Sequence, residues 1–122
     1  MPAVIETDLK EFLLCTIKAD ELIDKDPKIS GIRFETVIAQ SKIIDVVKEF
    51  LAREYYLESL TAVDFIECFE MVYHFNRRDS HARVAVKTLV PKEVNRAPSV
   101  SSIYKAANWY EREVHEMFGI EF

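Results

Sequence analysis

The chain has 122 residues, of which 49% are hydrophobic and 30% charged, and carries a net charge of −5. That length and balance suit a single soluble domain spanning 1–122, able to bury a core without disulfides or a structural metal. Two cysteines, Cys15 and Cys68, and two glycines, Gly31 and Gly119, exclude a four-cysteine iron–sulfur or zinc framework and a glycine-rich phosphate loop within the chain.

In chain order, Thr7 or Asp8 is placed to cap a first helix with Leu9, Phe12, Leu13 and Ile17 on its apolar stripe. Both cysteines sit in apolar segments and read as buried, reduced thiols. Ile32 to Ile38 alternates as a strand, and Ser41 opens a second helix with Ile43, Ile44, Val47, Phe50 and Leu51 along one face. Leu57 to Phe65, Glu67 to Phe75 and His81 to Val90 read as three further strands, the last two joined by a short turn at Asn76-Arg77-Arg78-Asp79. After a loop from Pro91 to Pro98, Ser101 or Ser102 is placed to cap a last helix that stops at Gly119 in a left-handed cap. The predicted fold class is α+β, a two-layer sandwich with a mixed sheet of about four strands and helices on one face, in the order α-β-α-β-β-β-α.

The sequence offers little catalytic chemistry. A four-residue turn would set His74 opposite His81, but no third metal ligand is evident, and the residue four after His115 is Gly119 rather than a second histidine of a zinc-protease helix. Glu111 and His115, and Arg112 and Glu116, are spaced to meet on one helix surface. A stand-alone acid–base enzyme using Glu111 and His115 is a minor reading, since no nucleophile or oxyanion glycine accompanies them. Residues 76–96 hold six Lys/Arg against Asp79 and Glu93, a net +4, which leaves −9 elsewhere. This balance argues against nucleic-acid and membrane-surface binding while allowing a local patch to meet an acidic partner. No apolar run is long enough to span a membrane.

The run Asn108-Trp109-Tyr110-Glu111-Arg112-Glu113-Val114-His115-Glu116-Met117-Phe118-Gly119-Ile120, preceded by Pro98-Ser99-Val100, resembles the signature of the 30-kilodalton subunit family of complex I, the proton-pumping NADH:quinone oxidoreductase. That family includes the small soluble subunit of energy-converting membrane-bound nickel–iron hydrogenases. Leu60-Thr61-Ala62-Val63-Asp64 and Val72-Tyr73-His74-Phe75 extend the likeness to roughly residues 40–122. The resemblance implies a cofactor-free accessory subunit, not catalytic alone. It would dock on the large catalytic subunit and a neighbouring iron–sulfur subunit, peripheral on the cytoplasmic face of the cell membrane, with no direct insertion. The docking residues it implies are Trp109, Tyr110, Glu111, Arg112, Glu113, His115, Phe118 and Gly119. Respiratory members usually carry a glycine–histidine–proline stretch and basic tail after the Gly-Ile-Phe segment, and tyrosine and aspartate where this chain has His115 and Glu116. Those departures point to the ferredoxin-linked, ion-pumping hydrogenase branch resembling the Ech complexes. The alternative is the equivalent subunit of an NADH:quinone oxidoreductase. Because three successive helical positions span about 200°, at least one of Glu111, Arg112 and Glu113 is expected to point inward or sideways.

Overall fold

The computed structural model describes residues 2–79 and 83–122, and within them the side chains of all but residues 2–6 and 27. Helix α1 (Pro2–Glu11) continues into a π-helical turn, Phe12–Ile17, that Lys18 closes in the left-handed conformation. Thr7 and Asp8 therefore lie inside this helix rather than at its start, and Asp8 pairs instead with Arg53 at 3.0 Å. Leu9, Leu13 and Ile17, spaced four apart, form its buried stripe. Cys15, two positions from each of Leu13 and Ile17, faces outward and is exposed, and Cys68 is half-buried, so neither is the fully buried thiol expected.

A strand that the sequence did not signal follows, β1 (Glu21–Asp24). The one-turn helix α2 (Pro27–Ser30) comes next, its Lys28 N–H donating to Asp26 Oδ1 at 3.0 Å. Strand β2 (Phe34–Val37) leads through a 3₁₀ turn at Gln40–Lys42 to α3 (Ile43–Ala52), which buries Ile43, Val46, Val47 and Phe50 at helical spacing. Three longer strands then run in succession, β3 (Tyr56–Asp64), β4 (Cys68–Asn76) and β5 (Val84–Pro91), before the final helix α4 (Ala106–Phe118).

The five strands form one mixed sheet in the order β1-β2-β5-β4-β3, with only the central β2–β5 pair parallel. The α+β sandwich is thus the observed class, with β1 added at the edge. Register places Phe34, Thr36, Val84, Val86, Thr88, Val90, Phe69, Met71, Tyr73 and Phe75 on one face, all buried. The helices pack here: Phe50 of α3 stacks on Phe75 at 4.2 Å between centroids, and Phe118 of α4 meets Phe69 edge-on at 5.5 Å. The core runs from Leu9 to Ile120. On the second face Glu35 and Lys87 pair at 3.0 Å, beside the exposed side chains of Ile23, Val63 and Leu89.

The β4–β5 connection is longer than a four-residue turn, because Phe75 pairs with Val84 and His74 lies opposite Ala85. His74 therefore does not face His81, which itself lies outside the described residues. Its Nδ1 is 3.2 Å from the Ser59 hydroxyl on the neighbouring strand. Burial holds the His74 imidazole below its ordinary pKa, with Arg83 and Lys87 adding to the effect and Glu58 opposing it.

Candidate functional site

The signature helix α4 lies against an extended segment from Ala97 to Val100, and one buried carboxylate joins the two. Glu111 is 6% exposed; its Oε1 accepts from the Ser99 hydroxyl at 2.7 Å and its Oε2 from the Val100 N–H at 2.7 Å. Val100 is fully buried, so that N–H has no access to solvent. Ser101 does not cap α4: its hydroxyl lies 2.9 Å from that of Ser99, and the helix begins at Ala106 after a turn.

Three more signature residues face the fold. The Tyr110 hydroxyl donates to Glu58 O at 2.9 Å, at the irregularity in β3 between Leu57 and Ser59. The Glu58 carboxylate is held below its ordinary pKa by hydrogen bonds from Arg83, with Nε at 3.0 Å. Phe118 packs on Phe69, and Gly119 closes the helix at φ 74°, its N–H donating to His115 O at 2.8 Å. An ideal Cβ on Gly119 would meet Asn95 Nδ2 at 3.7 Å, ordinary contact, so backbone conformation is what selects glycine there.

The remaining signature residues face out. Trp109 is 61% exposed, and Arg112, Glu113 and His115 are exposed too. Neither helix-surface pair forms: Glu111 is turned inward, and no ion pair joins Arg112 to Glu116 among the described residues. The His115 Nδ1–H donates to Ile120 O at 2.9 Å, which fixes the ring against the segment after the helix rather than against Glu111. Met117, also exposed, belongs to the same stripe although it was not among the expected docking residues. Its position eight residues after Trp109 sets it on the same helix face. Trp109, Arg112, Glu113, Glu116 and Met117 follow an i, i+3, i+4, i+7, i+8 spacing.

An open cleft of about 490 Å³ lies beside this stripe, walled by Ser99, Ser101, Asn108, Arg112, His115 and Phe122. Its one buried carboxylate, that of Glu111, is committed to the Ser99 hydroxyl and the Val100 N–H. Among the described residues no three His, Cys, Asp or Glu side chains are grouped to hold a metal ion. The geometry is that of a helix with one half fastened down and the other half presented.

Comparison with known proteins bears on the same region. The sequence profile described as the respiratory-chain NADH dehydrogenase 30 Kd subunit matches residues 36–122. The C subunit of NADH-quinone oxidoreductase from Rhodobacter capsulatus is 48% identical over 69 residues, 54% of this chain and 34% of that protein. Its counterpart from Jannaschia sp. (strain CCS1) is 32% identical over 113 residues, 86% of this chain and 53% of that protein. The chain thus spans about a third to a half of these relatives. Among solved structures, a polypeptide of the membrane-bound sulfane sulfur reductase (MBS), described as an archaeal respiratory membrane complex, is 31% identical with a TM-score of 0.78. That match covers 96% of this chain and 69% of the other. The trypsin-resistant fragment of Nqo5 shares the fold at a TM-score of 0.80 and 24% identity, over 97% of this chain and 94% of that one.

Proposed function

The chain belongs to the respiratory-chain NADH dehydrogenase 30 Kd subunit family, and from that premise we propose that it is a docking subunit of a membrane-bound respiratory complex. In this reading residues 1–122 act as one domain without a redox group of their own. The domain sits against the large catalytic subunit and a neighbouring iron–sulfur subunit, peripheral to the cytoplasmic face of the membrane. No helix of the described residues is long and apolar enough to cross a membrane. The observation that carries the reading is the divided signature helix. Tyr110, Glu111, Phe118 and Gly119 fasten it to the fold, while Trp109, Arg112, Glu113 and His115 are turned outward.

Between the two oxidoreductase types, the relatives' names support the NADH-quinone oxidoreductase reading over the hydrogenase expected from His115, Glu116 and the segment after Gly119. The likeness to a polypeptide of the archaeal sulfane sulfur reductase keeps a second reading in view, a respiratory complex whose electron acceptor is not quinone.

The test is purification of the complex from native membranes carrying Arg112→Lys or Trp109→Ala. Arg112 lacks an ion pair among the described residues, so its substitution is expected to leave the fold intact. A partner carboxylate held in two-pronged fashion by the guanidinium would be lost to lysine, weakening assembly by roughly 1–3 kcal/mol. Normal assembly of both variants would remove the docking role of α4. Nickel in the purified complex would indicate the hydrogenase type, and quinone reduction without nickel the complex I type.

A further inference from the structure

The end of the sheet formed by the β3–β4 turn breaks an ordinary rule of turn chemistry. Its residues are Phe65, Ile66 and Glu67, where glycine, asparagine or aspartate would suit a tight reversal. Ile66 is 95% exposed, the most exposed of the twelve large hydrophobic side chains that reach the surface among the described residues. Four more of those twelve gather with it: Phe65, Val63, Leu89 and Val94.

Register explains the gathering. Val63 and Leu89 flank Glu70 on the open face of the sheet, one row before the turn. The 91–94 turn that carries Val94 is tied to the β3–β4 turn by the Lys92 N–H, which donates to Glu67 O at 3.2 Å. Lys92 also pairs with Asp64 at 2.5 Å and lies over the Phe69 ring, 4.9 Å from its centroid. The β3–β4 turn and the turn that follows β5 are therefore tied together at one end of the sheet, where their apolar side chains form a knob.

Asp64, Glu67, Glu70 and Glu93 surround the knob against two bases, Lys92 at Asp64 and Lys87 at 3.8 Å from Glu70, a local charge of −2. That charge narrows the range of occupants. An anionic lipid surface or a nucleic acid would be repelled. A second copy docked tip to tip would set −2 against −2. What fits is a surface with an apolar hollow for Ile66 and a lysine- or arginine-bearing edge for Glu67 and Glu93. Isoleucine suits an anchor because its branched side chain has little rotamer freedom to lose on burial.

We infer that the knob of Val63, Phe65, Ile66, Leu89 and Val94 is a second docking surface, taking a different protein whose contact surface is apolar with a basic rim. This goes beyond the α4 reading and rests on it only for the existence of an assembly. A photo-crosslinking amino acid placed at position 66 of the full chain, in native membranes, tests it beside matched probes at Trp109 and at the remote, exposed Ile29. The expected result is a crosslink from position 66 to one foreign polypeptide, in a segment that carries Lys or Arg beside apolar residues. Reversing charge with E67K and E93K together is expected to cut that yield about tenfold while the Trp109 crosslink persists. A melt of the double variant checks that the fold is intact. Crosslinks to lipid, to a second copy, to a segment without basic residues or to nothing would overturn the inference, as would a yield indifferent to E67K and E93K. With Glu67 and Glu93 intact, no crosslink from position 66 while Trp109 still crosslinks defeats this surface alone, whereas no crosslink from either defeats the docking reading as well.

Discussion

Replacing Glu111 by alanine should destabilise the chain although no catalytic role is assigned to it. The Val100 N–H, fully buried, would be left without an acceptor, at a cost of about 1–3 kcal/mol. Losing the buried stem of the side chain adds about 1 kcal/mol. The Ser99 hydroxyl contributes less, because it lies 2.9 Å from the Ser101 hydroxyl and can turn towards it. Relief from burying a carboxylate offsets part of the sum, and the net expectation is a loss of about 2–4 kcal/mol. Followed by circular dichroism in urea, that is a midpoint lower by about 1–2 M with an unchanged slope. Glu111→Gln keeps an oxygen for Val100 and an amide for the Ser99 oxygen, so it should lose only about 1 kcal/mol. A loss below about 0.5 kcal/mol for alanine, or equal losses for alanine and glutamine, would refute the role of the carboxylate in holding the 99–100 backbone.

Gly119→Val should cost about 1–2 kcal/mol through its left-handed backbone, with Gly119→Asn milder, and equal denaturation midpoints for all three forms would remove the cap. The Tyr73 hydroxyl is buried without a hydrogen-bond partner among the described residues. Tyr73→Phe should therefore leave stability unchanged or raise it by about 1 kcal/mol, and a loss on thermal melting would show the hydroxyl to be engaged. His74 has a folded-state pKa below its unfolded value, so the unfolded chain takes up the proton first as pH falls. Its contribution to stability is present above about pH 6.5 and is lost as pH falls through the folded value. His74→Gln should flatten the stability profile on the acidic side of that point, and an unchanged difference between the two forms from pH 8 to 5 would contradict the assignment.

Periodicity carried most of the fold in advance because it depends on contacts that each element makes with one buried face. Strands β3, β4 and β5 begin and end within a few residues of the segments read from their apolar runs, and α3 follows its stripe from Ile43 to Phe50. Composition likewise left few ways to build a redox or nucleotide site. Gly119 was readable as a cap because only a residue without Cβ takes its φ of 74° at little cost.

Other features depend on who the neighbours are. Strand β1 has no alternating pattern of its own; Glu21–Asp24 is extended because it pairs with β2 along the sheet edge. The length of the β4–β5 connection, and with it the separation of His74 from position 81, is set by pairing register, which a turn-like tetrapeptide cannot specify. Helical geometry required that at least one of Glu111, Arg112 and Glu113 turn inward or sideways without saying which. The choice fell to Glu111 because the 99–100 segment, twelve and eleven residues earlier in the chain, brings a hydroxyl and a buried N–H to that face of α4 and to no other. The knob at Ile66 was invisible for the same reason, since its five apolar side chains come from three separate stretches of sequence that only the sheet brings together.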